Sequence, residues 1–182
     1  MRTHYTAIMA SLTFALTLSA CSPSQNWREV TLEGTSLKAQ LPCKPDRTTR
    51  AVPLGGVPVD LQVVGCESGS AIVAVMTASL QAGADANALL AGWQKATLDN
   101  ARVPRPLAAE QQQNWHRPGH LPLAASQRIQ AKGLRPDGEA VMMDAVWGAV
   151  AEGDHVRLVH AVVYDRQIPP EMANTLFEGL KP

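Results

Sequence analysis

From Trp27 onward, apolar residues recur at every second position. Val30 and Leu32 alternate with polar neighbours, and Leu37, Ala39 and Leu41 are separated by Lys38 and Gln40. This is the period of strands with one face buried. Pro42 ends the second run, and Pro42 to Asp46 reads as a turn. A strand over Arg47 to Leu54 follows, then Gly55-Gly56, then Val57, Val59, Leu61 and Val63 with Asp60 and Gln62 turned the other way. Gly-Gly between two alternating runs predicts a two-residue hairpin. After a turn at Glu67 to Ser70, the run Ala71 to Leu80 places Ile72, Ala74, Met76 and Leu80 on one face and Val73 and Val75 on the other. A strand apolar on both sides belongs in the middle of a sheet covered twice.

The period changes after Asp85, a candidate N-cap. Ala86, Leu89, Leu90, Trp93, Ala96 and Thr97 then fall along one stripe at spacings of three and four, which predicts an amphipathic helix. Arg102-Val103-Pro104 stops it. Arg105 to Leu123 has no clean period, and its prolines predict a long surface loop or a short irregular helix. Three strands follow, over Ser126 to Leu134, Glu139 to Val150 and Val156 to Tyr164, with turns at Arg135-Pro136-Asp137-Gly138 and Glu152-Gly153-Asp154. Pro169-Pro170 opens a closing helix whose buried stripe is Met172, Leu176 and Leu180. Hairpin-length connections imply a mostly antiparallel sheet, so the expected class is α+β, with a central helix and a C-terminal helix packed on the sheet.

The chain begins differently. Arg2 and His4 precede an uncharged run from Ala7 to Leu18, too short to span a bilayer, and the run closes on Leu18-Ser19-Ala20-Cys21. This ending resembles the lipobox of bacterial lipoproteins. The resemblance implies cleavage before Cys21, a diacylglyceryl group on its thiol, and acylation of the new amino terminus. Two or more acyl chains, at about 0.8 kcal/mol per buried methylene, hold a protein stably on a membrane. The alternative is an ordinary secreted chain in which Cys21 is incidental. Ser22 after the cysteine implies outer-membrane sorting, and hence a domain facing the periplasm of a Gram-negative bacterium. The expected organisation is a signal peptide over residues 1–20, a lipidated tether over 21–26, and one α+β domain over 27–182. Two thiols remain, Cys43 and Cys66. Export delivers them to an oxidising compartment, where they are expected to pair.

The order of elements carries a second resemblance. The Leu41 to Pro45 turn (Leu-Pro-Cys-Lys-Pro), Val52 to Gly56 (Val-Pro-Leu-Gly-Gly), the central helix, the meander and the terminal Leu176 to Leu180 helix (Leu-Phe-Glu-Gly-Leu) are similar to bacterial envelope domains of the PsbP/Mog-like fold. That likeness implies accessory work, namely extrinsic subunits of membrane complexes and binders of protein partners, without a catalytic residue set.

Composition narrows the functions further. Lys plus Arg and Asp plus Glu each total 16, a balance that argues against a nucleic-acid binder. His116 and His120 have the spacing of a helical metal pair, but Pro118-Gly119 between them breaks a helix. A metal-dependent enzyme is therefore only a third reading, and no metal ligand or cofactor is assigned. His155 and His160 fall on opposite faces of one strand. No nucleophile elbow and no phosphate-binding glycine motif is present, so no catalytic residue is assigned. Glu139, Asp144, Glu152 and Asp154 gather around the meander turns, where solvated carboxylates are common. Arg102, Arg105, Arg117, Arg128 and Arg135 bias the proline-rich segment towards positive charge, and Trp115 is its one aromatic candidate for an exposed contact. The leading expectation is a non-catalytic lipoprotein that binds an envelope protein partner through this loop, with Trp115 and Arg117 at the contact. A carrier of lipid or another apolar ligand between sheet and helix is the second.

Overall fold

The structure is a computed structural model and describes residues 25–182. Cys21 and the signal-like segment lie outside the described residues. The described chain is α+β, with a mostly antiparallel sheet and two helices. In chain order the elements are β1 (Arg28–Thr31), β2 (Lys38–Leu41), β3 (Asp46–Leu54), β4 (Val57–Ser68), β5 (Ala71–Leu80), α1 (Ala86–Asn100), β6 (Gln112–Asn114), β7 (Gln127–Leu134), β8 (Ala140–Glu152), β9 (His155–Asp165) and α2 (Pro170–Glu178).

β3 to β9 form a seven-stranded antiparallel sheet in the order β3-β4-β5-β9-β8-β7-β6. Gly55 and Gly56 sit at φ +60° and +83°, the positive values a tight hairpin requires of both turn residues, and they close β3 on β4 with Leu54 opposite Val57. β5 and β9 pair from Ile72↔Tyr164 to Leu80↔Val156, which joins the hairpin half of the sheet to the meander half across the intervening helix. As the two-sided apolar pattern demands, both are central strands.

Each face of the sheet carries its own core. On one face α1 lays Leu90, Trp93 and Leu98 over Met143, Ala145, Trp147, Leu158 and Val162. Its first turn is capped by Asp85, whose Oδ1 accepts the Ala88 N–H at 3.0 Å. On the other face α2 and the β1–β2 ribbon cover Val73, Val75, Val146, Val150, Val159, Ala161 and Val163. α2 contributes Met172, Ala173, Leu176 and Phe177, and Pro170 occupies its first turn, where a missing N–H costs no helical hydrogen bond. Burying a large apolar side chain is worth about 1.5–3 kcal/mol, so these two layers dominate the stability of the domain.

The segment with no clean period is more ordered than its prolines suggest. It holds a single 3-10 turn at Ala109–Gln111, and β6 then pairs with the start of β7, Gln112↔Ile129 to Asn114↔Gln127. The chain between β6 and β7 continues the sheet edge by other means. Leu121 donates to the Ala149 carbonyl at 2.7 Å, and Trp115 donates to the Ser126 carbonyl at 2.9 Å. No described helix is long and apolar enough to cross a membrane.

Candidate functional site

The disulfide expected from the sequence is present. Cys43 and Cys66 are joined with Cα atoms 6.0 Å apart, tying the exit of β2 to β4. The entry to β1 lies at the same end, since Asn26 donates its N–H to the Pro42 carbonyl at 2.8 Å. The start of the domain is thus fastened to the sheet both covalently and by hydrogen bonds.

Trp115 is not an exposed contact. It is only 7% exposed and meets the His120 ring edge to face, with centroids 4.9 Å apart. The reason lies in β8, where Gly148 leaves the indole room: a Cβ there would stand 2.6 Å from Trp115 Cζ3. His116 is exposed while both ring nitrogens of His120 are buried, so the two do not converge as metal ligands. Burial also holds the His120 pKa below the usual histidine range. Among the described residues, no group of three or more His, Cys, Asp or Glu gathers as a metal site. Arg117 is partly exposed and its guanidinium lies 3.9 Å from Glu178 on α2.

The basic bias of this region is largely absorbed by pairing. Arg105 bonds to Asp99, and Arg135 donates to the Ser70 carbonyl at 3.3 Å. Arg128 makes a two-point contact with Asp144, Nε to Oδ1 at 2.8 Å and Nη2 to Oδ2 at 2.6 Å. Gln130 donates to the same carboxylate at 2.6 Å, Asn174 accepts from Arg128 Nη1 at 2.9 Å, and the guanidinium lies 5.0 Å from the centroid of the Phe177 ring. Asp144 is therefore not a solvated turn carboxylate. It is buried within β8 and anchors a polar lock between the sheet and α2.

Glu152 departs from the expectation in the same way. Its Oε2 receives Arg157 Nε at 2.6 Å and its Oε1 receives the Ser36 N–H at 3.2 Å, while Arg157 Nη2 reaches the Gly34 carbonyl at 3.0 Å. This cluster pins the β1–β2 turn to the β8–β9 turn. His155 and His160 do lie on opposite faces. His160 is fully buried, stacked on Trp147 at 4.4 Å between centroids, edge-on to Trp93 at 5.5 Å, and bonded through Nδ1 to the Val146 carbonyl at 3.0 Å. Desolvation pushes its pKa down to about 4. Tyr164 is pushed up to about 12 for the same reason.

A groove runs from the end of β1 and the β1–β2 turn across β3, β4 and β5. At the Arg157 cluster it opens as a cleft of about 1100 Å³ lined by Leu32, Glu33, Arg47, Ser79, Glu152 and His155. It continues through a narrower space of about 240 Å³ with Arg47, Thr49, Gln62, Val64 and Thr77 along its walls. A third space of about 510 Å³, lined by Lys44, Arg47, Cys66, Glu67 and Ile72, extends it to the disulfide end. Arg47 borders all three. Hydroxyl, amide, guanidinium and carboxylate groups line its first two spaces, whereas Val63, Ile72 and Val73 make the third more apolar. Sequence reasoning did not single it out, because its walls come from β1, β3, β4, β5 and the β8–β9 turn.

The chain matches no protein-family model, no curated protein and no solved structure.

Proposed function

We propose that this chain is a lipid-anchored envelope protein, held at the outer membrane of a Gram-negative bacterium through an acylated Cys21, whose periplasmic domain binds a protein partner and carries no catalytic centre. The observation that carries this reading is the pairing of Leu18-Ser19-Ala20-Cys21 with the Cys43–Cys66 disulfide. A disulfide of this kind belongs to an exported chain, and the cysteine left over stands where a lipid would be attached. The described chain enters the domain at its disulfide end, where Asn26 bonds to Pro42. In fold we read the domain as a variant of the PsbP/Mog-like group, supported by the mostly antiparallel sheet with its two helices.

A carrier of apolar ligands is less well supported, since both faces of the sheet are filled by fully buried side chains such as Leu90, Met143, Trp147 and Leu176. The test is direct. Radiolabelled palmitate should appear on the wild-type protein and not on Cys21→Ala, and the variant should leave the membrane fraction. A wild-type chain that stays unlabelled, or a variant that fractionates with wild type, would overturn the anchor. Chemical crosslinking in intact cells, followed by identification of the joined chains, tests partner binding: a specific protein adduct is expected, and none would refute it.

A further inference from the structure

The β1–β2 ribbon has two outer edges, and the chain itself fills one. On β2, Lys38 donates to the Lys181 carbonyl at 2.7 Å and accepts the Lys181 N–H at 3.1 Å. The other edge has no backbone partner among the described residues, and the Arg47 side chain reaches its Thr31 carbonyl. Leu32 donates to the Leu37 carbonyl at 2.9 Å, which makes the even-numbered residues of β1 the ones bonded towards β2. Hydrogen-bonded and non-bonded pairs alternate along antiparallel strands, so Glu29 and Thr31 turn their backbone N–H and C=O groups outward. One contact displays this direction: Arg47 Nη2 donates to the Thr31 carbonyl at 3.2 Å. Among the described residues, the outward N–H groups of Glu29 and Thr31 have no backbone partner.

The groove opens at the Thr31 end of this edge. A strand laid against β1 would hang over Arg47, Thr49, Gln62 and Thr77, with every second side chain pointing down at them. Arg47 is the cation at the centre, and no described carboxylate is within ion-pairing distance of it. Glu33 lines the central space together with Arg47 and reaches the Arg157 end, while Asp46 and Glu67 stand with Lys44 at the disulfide end.

We infer that this groove is a strand-addition site, in which an extended segment of a protein partner pairs with β1 through Glu29 and Thr31 and sets one central acidic side chain against Arg47. The inference rests on the partner-binding reading and supplies the chemistry of the contact. Main-chain pairing gives affinity, and Arg47 gives preference for Asp or Glu at the position that faces it.

The test uses the full lipidated chain in detergent, panned against a displayed library of random dodecapeptides. Enriched peptides are expected to share an alternating stretch with one central acid. Thr31→Pro removes an outward N–H, and Arg47→Glu reverses the charge. Each should weaken binding on the order of tenfold or more, whereas Thr31→Val keeps the N–H and should bind as wild type. If Thr31→Pro does not fold, the charge reversal decides alone, because peptides with Lys in place of the acid should then bind Arg47→Glu better than wild type. No enrichment, or peptides indifferent to both the edge and the charge variants, would overturn the site. A crosslinked cellular partner that survives both variants would remove this groove while leaving partner binding in place.

Discussion

Acidification should weaken this fold through His160. The ring is sealed between Trp147 and Trp93, and its one hydrogen bond is from Nδ1 to the Val146 carbonyl at 3.0 Å, so the folded state holds it neutral with the proton on Nδ1. The Nε2 atom is buried without a partner, and protonating it would place a charge in the core. Burial lowers the pKa from 6.5 to about 4. The unfolded chain therefore takes up a proton near pH 6.5, whereas the folded chain resists until near pH 4. The contribution to stability is complete above the unfolded value and is lost as pH falls between the two, at about 1.4 kcal/mol per pH unit. At pH 4.5 the expected loss is about 2.5 kcal/mol. Urea denaturation of wild type and His160→Phe at pH 7.5 and 4.5 isolates this term, because carboxylate titrations common to both proteins cancel in the comparison. His160→Phe should lose about 2.5 kcal/mol less than wild type over that interval. Parallel pH profiles for the two proteins would show that His160 is not held neutral by burial, and the reasoning would fail.

Three further outcomes are expected. Replacing Cys43 and Cys66 by Ser should cost roughly 3 kcal/mol in urea denaturation, from the loop closed over a sequence separation of 23. Asp144→Ala leaves Arg128 beneath α2 without its carboxylate and should destabilise by about 3 kcal/mol, while the paired replacement Arg128→Met with Asp144→Leu should cost less. Gly148→Ala drives a methyl group into the Trp115 ring. It should cost about 1–3 kcal/mol and shift tryptophan emission to the red as the β6–β7 connection lifts, and unchanged emission would mean that Trp115 is not seated on Gly148.

Much of the architecture was legible because strand and helix periods are local. The alternation from Val30 to Leu41, the Gly55-Gly56 turn, the Asp85 cap and the Pro169-Pro170 helix start each specify a few bonds of backbone, and each reappears in the structure. The opposite faces of His155 and His160 follow from the same parity. The candidate contact residues fared differently. Trp115 and Arg117 sit in a segment whose prolines obscure its pattern, and nothing nearby in sequence announces that Gly148 offers Trp115 a seat.

Sequence alone determined where the longer strands and both helices run, though not β6, which side chains share a face, and that the leading segment ends in a cysteine resembling a lipid-acceptor site. Only the tertiary structure decided the strand order beyond the hairpins, that β5 meets β9 across α1, and that β1 and β2 stand apart as a ribbon with one edge lacking a backbone partner among the described residues. It also turned Asp144 and Glu152 from turn carboxylates into locks. The physical reason is range. Periodicity records only the division between core and solvent, whereas strand order, buried ion pairs and grooves are contacts between residues far apart in the chain, and these exist only once the layers have closed.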